Sequence, residues 1–91
     1  MSEQMCIHAI VSGTVQGVYF RSNTRKKANT LNLTGWVKNL ENGTVEVVAC
    51  GSKKEVLALT EWLWEGPKQA EVSHVHWEET PLEKHEAFLV L

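Results

Sequence analysis

Hydrophobic and polar residues alternate near the start of the chain, which is the pattern of a half-buried β-strand. Within Met5–Ser12 the apolar side of this strand is formed by Ile7, Ala9 and Val11. Ile10 falls on the opposite, mainly polar side and is the one exception to the alternation. We expect a loop over Gly13–Gly17, because a glycine stands at each end and glycine permits tight turns.

Two later segments show the spacing of helices with one apolar face. Ser22–Leu33 carries such a face, formed by Thr24, Ala28 and Leu31. The second helix should begin at Ser52, because Ser52–Glu55 has the spacing of a capping box. It should end near Glu65, because Gly66-Pro67 cannot continue it. Its buried face is predicted to consist of Val56, Leu59, Thr60 and Leu63.

Four further strands complete the pattern. Gly35–Leu40 and Thr44–Cys50 flank Asn42-Gly43, a strong hairpin signal. This dipeptide predicts a type I′ turn, in which both central residues have a positive φ. The remaining strands are expected over Val72–Glu79 and Ala87–Leu91.

The predicted element order is therefore β-α-β-β-α-β with a short terminal strand. Right-handed crossovers and one hairpin make this the ferredoxin-like split βαβ sandwich, an α+β fold with an antiparallel sheet and both helices on one face. With 91 residues the chain has the length of one domain, expected to span residues 1–91. Many unrelated activities use this fold, so the fold alone assigns no function.

The composition is that of a soluble globular protein, with 43% hydrophobic and 22% charged residues. No apolar run approaches the ~20 residues that a membrane helix needs. Residues 1–5 lack the basic patch and the apolar core of a signal peptide. We therefore expect a cytoplasmic protein without a membrane partner.

The charges are distributed unevenly along the chain. All 11 acidic residues are Glu, and only Glu3 precedes Glu41. The cations in that interval are Arg21, Arg25, Lys26, Lys27 and Lys38. This asymmetry suggests a small cationic site for a compact anion, although Arg25, Lys26 and Lys27 are more typical of a solvated helix face. A net charge of −2 argues against a nucleic-acid partner.

The sequence lacks the residues that several kinds of catalytic or metal site require. Without Asp there is no aspartyl-phosphate nucleophile and no Asp-rich magnesium site. The two cysteines are too few for a structural zinc site. His74 and His76 have possible metal-ligand spacing, but no third ligand is apparent. We therefore expect no metal site.

The stretch Gly13–Arg21 is the first candidate site. Main-chain amides of a loop that enters a helix can bind an anion, and Arg21 adds a planar fork that matches phosphate oxygens. An ordinary glycine turn beside a surface arginine explains the same residues equally well. The loop lacks the Gly-Lys-Ser/Thr ending of a Walker loop and holds no cysteine nucleophile.

The second candidate is Asn39 in Gly35–Asn39. In the split βαβ topology its strand runs parallel to the first strand, so Asn39 should lie at the same end of the sheet as the Gly13–Arg21 loop. A carboxamide can donate and accept hydrogen bonds, so it can orient a water molecule. An asparagine favoured by the following turn is the alternative.

Together the two stretches G-T-V-Q-G-V-Y-F-R and G-W-V-K-N closely resemble the signature of the small acylphosphatases. The resemblance extends over essentially the whole chain. It implies hydrolysis of acyl phosphates to carboxylate and inorganic phosphate, without a cofactor and as a monomer. By position it implies that Arg21 binds the phosphoryl group and Asn39 holds the attacking water. The backbone amides implied to bind the phosphoryl group are those of Gln16, Gly17, Val18, Tyr19 and Phe20.

Two rival functions remain open from the sequence. The first is a non-enzymatic module that binds phosphate or an acyl phosphate, since such domains also resemble parts of larger carbamoyl-transfer proteins. The second is an RNA-binding domain of the same fold, against which the central strands lack aromatic residues interleaved with basic ones.

Strand parity brings Cys6 and Cys50 to one face of the sheet. Both are predicted to point away from the core, on antiparallel neighbouring strands, with the start of one beside the end of the other. We therefore expect the two cysteines to lie opposite or diagonal to each other, at a separation that a disulfide could bridge. Two reduced thiols are the alternative in a reducing compartment.

Overall fold

A computed structural model describes residues 3–91, so residues 1 and 2 of the N-terminal segment lie outside it. Its elements in chain order are β1 (Gln4–Thr14), α1 (Phe20–Thr30), β2 (Thr34–Asn39), β3 (Val45–Ser52), α2 (Lys53–Glu65), β4 (Glu71–Thr80) and β5 (Phe88–Val90). Within this part of the chain, no helix is long and apolar enough to cross a bilayer.

The strands form one five-stranded sheet in the order β4-β1-β3-β2-β5. β1 pairs antiparallel with β3 and β4, and β2 pairs antiparallel with β3. The predicted ferredoxin-like α+β fold is thereby confirmed. The fifth strand differs from the expected antiparallel sheet, because β5 reaches β2 by a crossover and lies parallel to it, which makes the sheet mixed.

Both helices pack on one face of this sheet and share its core. The α2 face predicted from the sequence is confirmed, with buried side chains at Val56, Leu59, Thr60 and Leu63. On β1 the alternate residues Ile7, Ala9 and Val11 point into the same core. The aromatic ring of Phe20, the first residue of α1, lies 5.9 Å from that of Trp62. The start of α1 is therefore anchored to α2.

Helix α1 spans Phe20–Thr30, so it starts and ends earlier than predicted. Asn32 takes a left-handed φ of 58°, and the Leu33 amide turns back to the carbonyl of Ala28 at 2.9 Å. This arrangement is a Schellman ending, in which Asn can replace the usual glycine. Leu33 therefore packs in the core from outside the helix.

Ser52 stands at the predicted N-cap of α2, but the predicted capping box is wrong. The Ser52 side chain makes no capping hydrogen bond. Ser52 is also the last residue of β3 and pairs with Gln4. The next amide, that of Lys53, donates to the carbonyl of Glu3 at 2.8 Å. The residue before β1 thus accepts the hydrogen bond of an amide at the start of the helix, where a capping side chain was predicted.

The loop predicted over Gly13–Gly17 lies two residues further along the chain, with the same length. β1 continues through Gly13 to Thr14, which pair with Val72 and Glu71 of β4 after a register shift at Ser12/Gly13. Only residues 15–19 connect β1 to α1. One glycine, Gly17, lies within this connection instead of one at each end.

The β2–β3 turn is centred where predicted but is not of type I′. Gly43 has a φ of 91°, whereas Asn42 is not among the residues with a positive φ. The Asn42 side-chain oxygen instead accepts hydrogen bonds from the amide and the hydroxyl of Thr44, at 3.1 and 2.6 Å. The Gly43 amide donates to the Leu40 carbonyl at 3.2 Å. The result is a hairpin loop with one left-handed glycine.

The two cysteines lie directly opposite each other, because the β1–β3 register pairs Cys6 with Cys50. Their Sγ atoms are joined in a disulfide bond. The Glu83 amide donates to the Cys6 sulfur at 3.3 Å, so the segment before β5 covers the pair. The presence of this disulfide in the cell stays a prediction.

His74 and Trp64 lie at the surface of the protein. His74 packs edge-on against Trp64, with 5.5 Å between ring centroids. Trp64 is 49% exposed, whereas Trp62 and Trp77 pack against the core. In residues 3–91 no three His, Cys, Asp or Glu side chains come close enough together to hold a metal ion.

Candidate active site

A cleft of about 400 Å³ opens where β1 and β2 end and α1 begins. β1 and β2 run in the same direction with β3 between them, so their C-terminal ends lie at one edge of the sheet. The residues that line the cleft are Val15, Gly17, Tyr19, Phe20, Arg21, Ser22, Asn39 and Val90. The sequence prediction that Arg21 and Asn39 lie at one end of the sheet is therefore correct.

The backbone of the 15–19 loop is bent twice into the left-handed region. Gly17 has a φ of 73°, and a side chain there would meet no atom within 4 Å, so backbone conformation alone favours glycine. Tyr19 has φ 61° and ψ 24°, which is uncommon for a bulky residue. The Tyr19 carbonyl is held by the Asn23 amide at 3.1 Å and the Asn23 side chain at 2.9 Å. The Ser22 hydroxyl donates to the same carbonyl at 3.2 Å.

Within residues 3–91 the main-chain amides of residues 16–20 donate no hydrogen bond. They precede or begin α1, so the positive end of the helix dipole adds to their N–H groups. Amides in consecutive left- and right-handed conformations form concavities that bind anions. The loop is thus equipped to bind a compact anion such as a phosphoryl group.

Arg21 supplies the full positive charge of the cleft. One of its terminal nitrogens, Nη1, donates to the main-chain oxygen of Leu91 at 2.8 Å. In the described chain no Glu side chain forms an ion pair with Arg21. The contact with Leu91 fixes one side of the guanidinium. No residue in the range 3–91 accepts a hydrogen bond from its other N–H donors, which can therefore serve a bidentate ligand. Arg25 and Lys26, one turn further along, are exposed and do not line the cleft.

Asn39 is the last residue of β2 and pairs with Val45 of β3. Its side-chain oxygen Oδ1 is buried and accepts no hydrogen bond from any residue in the 3–91 range. Buried polar atoms without a partner are rare and concentrate where a protein binds or reacts with something. An oxygen at this position can accept a hydrogen bond from a water molecule in the cleft.

The five loop residues whose amides were predicted to bind the phosphoryl group differ in where they lie. Gly17, Tyr19 and Phe20 line the cleft, whereas Gln16 and Val18 do not. Val18 packs against the core. The side chain of Gln16 turns to the β2–β3 hairpin, where its Nε2 donates to the carbonyls of Leu40 and Thr44.

Sequence reasoning missed three contributors to the site. Val90 of β5 forms part of the wall, and the Leu91 oxygen holds Arg21. Both depend on the parallel pairing of β5 with β2, which alternation of residues does not encode. The side-chain role of Gln16 was also missed, although it is the one amide side chain in a connection otherwise made of apolar residues, glycine and tyrosine.

The cleft is cationic, and its lining carries hydroxyl groups at Tyr19 and Ser22 without a base to activate them. None of its lining residues is a carboxylate, histidine or cysteine. Such a lining offers no metal ligand set of the usual kinds and no strong base. It offers positive charge, free N–H donors and one buried acceptor, which together suit an anion and a water molecule.

Comparison with known proteins agrees with this site. A family model described as acylphosphatase matches residues 7–90. The acylphosphatase of Coxiella burnetii (strain Dugway 5J108-111) is 61% identical over 87 residues, covering 96% of this chain and 92% of that protein.

Solved structures give the same result. An acylphosphatase structure from Coxiella burnetii superposes with a TM-score of 0.94 at 59% identity, covering 97% of this chain and 93% of that one. The acylphosphatase from Bacillus subtilis gives a TM-score of 0.92 at 33% identity, covering 96% and 98%. From its sequence, fold and cleft, the chain belongs to the acylphosphatase family, the hydrolases of acyl phosphates.

Proposed function

We propose that the protein hydrolyses acyl phosphates by in-line attack of a water molecule held by Asn39. The phosphoryl group is bound by Arg21 and by the main-chain amides of residues 16–20. No metal takes part. The oxygen of the water forms a bond to phosphorus as the bond from phosphorus to the acyl oxygen breaks. The carboxylate leaves with the electron pair, and the protons of the water remain on the phosphate or pass to solvent.

One observation carries this proposal: Oδ1 of Asn39 is buried, has no hydrogen-bond partner within residues 3–91, and shares a cleft with the guanidinium of Arg21. A binding module needs donors for the anion but no isolated acceptor beside them. An acceptor beside a phosphoryl site repels phosphate oxygens and attracts the hydrogen atoms of water. Its presence therefore favours an enzyme over the phosphate-binding module that the sequence left open.

Little else is required for this reaction. Phosphoryl transfer passes through a loose transition state, so catalysis depends mainly on position and on stabilisation of charge. The carboxylate of an acyl phosphate is a good leaving group and needs no strong acid. Arg21 offers a bidentate fork to two phosphoryl oxygens, while its Nη1 contact with Leu91 limits rotation of the guanidinium.

The deciding experiment is hydrolysis of benzoyl phosphate with EDTA present, followed by loss of ultraviolet absorbance. We expect turnover in EDTA, its loss in Arg21→Ala, and wild-type rates in the control Arg25→Ala, since Arg25 is exposed and outside the cleft. Loss of turnover in EDTA would contradict the metal-free reaction. A folded wild-type protein that binds phosphate but shows no turnover would support the binding module instead.

The protein is further proposed to act as a cytoplasmic monomer. Every group assigned to the reaction comes from a single copy of the chain, so the site needs no partner subunit. Sedimentation at the concentration used for the assay tests this, and a dimer would contradict it.

A further inference from the structure

The Gln16 side chain forms the only hydrogen bonds that join residues 15–20 to residues 39–44 in the described chain. Its Nε2 donates to the Leu40 carbonyl at 2.8 Å and to the Thr44 carbonyl at 2.9 Å. Both hydrogens of the amide are thereby used. The two acceptors lie 24 and 28 residues away in sequence.

These acceptors are the two residues that close the β2–β3 hairpin. The Leu40 amide donates to the same Thr44 carbonyl at 2.9 Å, so Gln16 binds both arms at the closing pair. Leu40 directly follows Asn39 in the chain. In the sheet, β3 separates β1 from β2, and no ladder bond links the loop to Asn39. The Gln16 amide bridges this gap.

We propose that the side chain of Gln16 is a positioning residue that sets the distance between the phosphoryl-binding loop and Asn39. This inference rests on the proposed function, in which the loop holds phosphorus and Asn39 holds the water. Attack requires the reacting atoms to approach within about 3–3.5 Å, and a displacement near 1 Å can cost about 10²-fold in rate. A bond between the two halves of the site controls this distance, although Gln16 itself does not line the cleft.

A merely structural bond is the competing explanation, and a matched pair of variants separates the two. Gln16→Met keeps the length and the apolar stem of the side chain but removes both donors. Asn42→Ala removes the bonds from Asn42 to Thr44 on the same turn but leaves the Gln16 contacts in place. Both variants weaken the hairpin, and only the first disconnects it from the loop.

The experiment measures kcat, KM and inhibition by inorganic phosphate for folded wild type, Gln16→Met and Asn42→Ala with benzoyl phosphate. For Gln16→Met we expect kcat to fall at least about tenfold while phosphate inhibition changes less than about threefold, because Arg21 and the loop amides remain. For Asn42→Ala we expect kcat within about twofold of wild type. An unchanged kcat in Gln16→Met, or equal losses in the two variants, would overturn the proposal.

A double-mutant cycle tests whether Gln16 acts through Asn39. In an Asn39→Ala background, Gln16→Met should reduce kcat by much less than it does in the wild type. Full additivity would mean that Gln16 acts independently of Asn39 and would refute the positioning role. If Asn39→Ala alone keeps its kcat, Asn39 does not hold the attacking water, and the proposed function is wrong on this point. The kcat of the single variant Gln16→Met then still shows the effect of Gln16.

A measurement that does not need activity completes the test. The NMR resonances of the Asn39 side-chain amide should shift clearly in Gln16→Met and little in Asn42→Ala. Unchanged Asn39 resonances in Gln16→Met would contradict the proposal even if the wild-type protein showed no turnover.

Discussion

Replacement of Asn39 by alanine should lower kcat by about 10²- to 10³-fold without destabilising the fold. The side-chain oxygen of Asn39 is buried and has no partner within residues 3–91. A buried acceptor in this state costs about 1–3 kcal/mol of folding free energy. Alanine removes this oxygen and leaves the main-chain pairing of Asn39 with Val45 intact. The position is thus one where function and stability are in conflict.

The expected magnitudes follow from these contacts. A water held on Oδ1 returns part of the hydrogen-bond energy, so we expect Asn39→Ala to gain between zero and about 1 kcal/mol in stability. For a domain of this size, 1 kcal/mol corresponds to a Tm change of about 4–8 °C. Loss of a group that positions or stabilises the reacting atoms lowers kcat about 10²- to 10³-fold. Inhibition by phosphate should remain, because Arg21 and the loop amides are untouched.

Urea unfolding followed by tryptophan fluorescence gives the stability, and benzoyl phosphate hydrolysis gives kcat. Asn23→Ala is the matched control, because the Asn23 side chain does have a partner, the Tyr19 carbonyl at 2.9 Å. That variant should lose about 0.5–1.5 kcal/mol. If Asn39→Ala loses more than about 1 kcal/mol, Oδ1 has a structural partner and the reasoning is refuted. An unchanged kcat would refute the assignment of the water.

Three further changes test the rest of the structure. A reductant should lower the free energy of unfolding by up to about 4 kcal/mol, because Cys6 and Cys50 are 44 residues apart in sequence. An unchanged mass of the purified protein on reduction would show that there is no bridge. Leu63→Ala should cost about 2–5 kcal/mol in urea unfolding, since Leu63 is fully buried; a cost below this range would mean that the α2 contact is loose. Gly43→Ala should cost about 1 kcal/mol in the same assay, through its positive φ alone, since nothing lies within 4 Å of the added atom. No cost would mean that the turn adopts another form in solution.

The sequence predicted those features that depend on local patterns. The buried face of α2 follows from a repeat of apolar positions, and packing against the sheet preserves it. Arg21 and Asn39 were expected at one end of the sheet because topology alone brings the ends of β1 and β2 together. The hairpin position was correct because Asn42-Gly43 interrupts two alternating runs.

The features that were missed depend on hydrogen bonds that the sequence rules do not include. The turn type changed because the Asn42 side-chain oxygen accepts hydrogen bonds from Thr44, a choice that the dipeptide Asn42-Gly43 does not reveal. The capping box failed because the Glu3 carbonyl, distant in sequence, accepts a hydrogen bond from the Lys53 amide. In each case a hydrogen bond outside the expected pattern took the place of the expected one.

Main-chain oxygens hold Arg21 in the cleft and Gln16 beside it. Arg21 donates to the Leu91 oxygen, and Gln16 donates to the carbonyls of Leu40 and Thr44. A main-chain acceptor is present whatever side chain the residue carries. The geometry of the cleft therefore depends on strand pairing and on the donors themselves, and side chains at positions such as Leu40 can change without moving it. This dependence explains how a site without an activated nucleophile or a metal ligand set can still keep its groups at fixed distances, which is the main requirement for phosphoryl transfer.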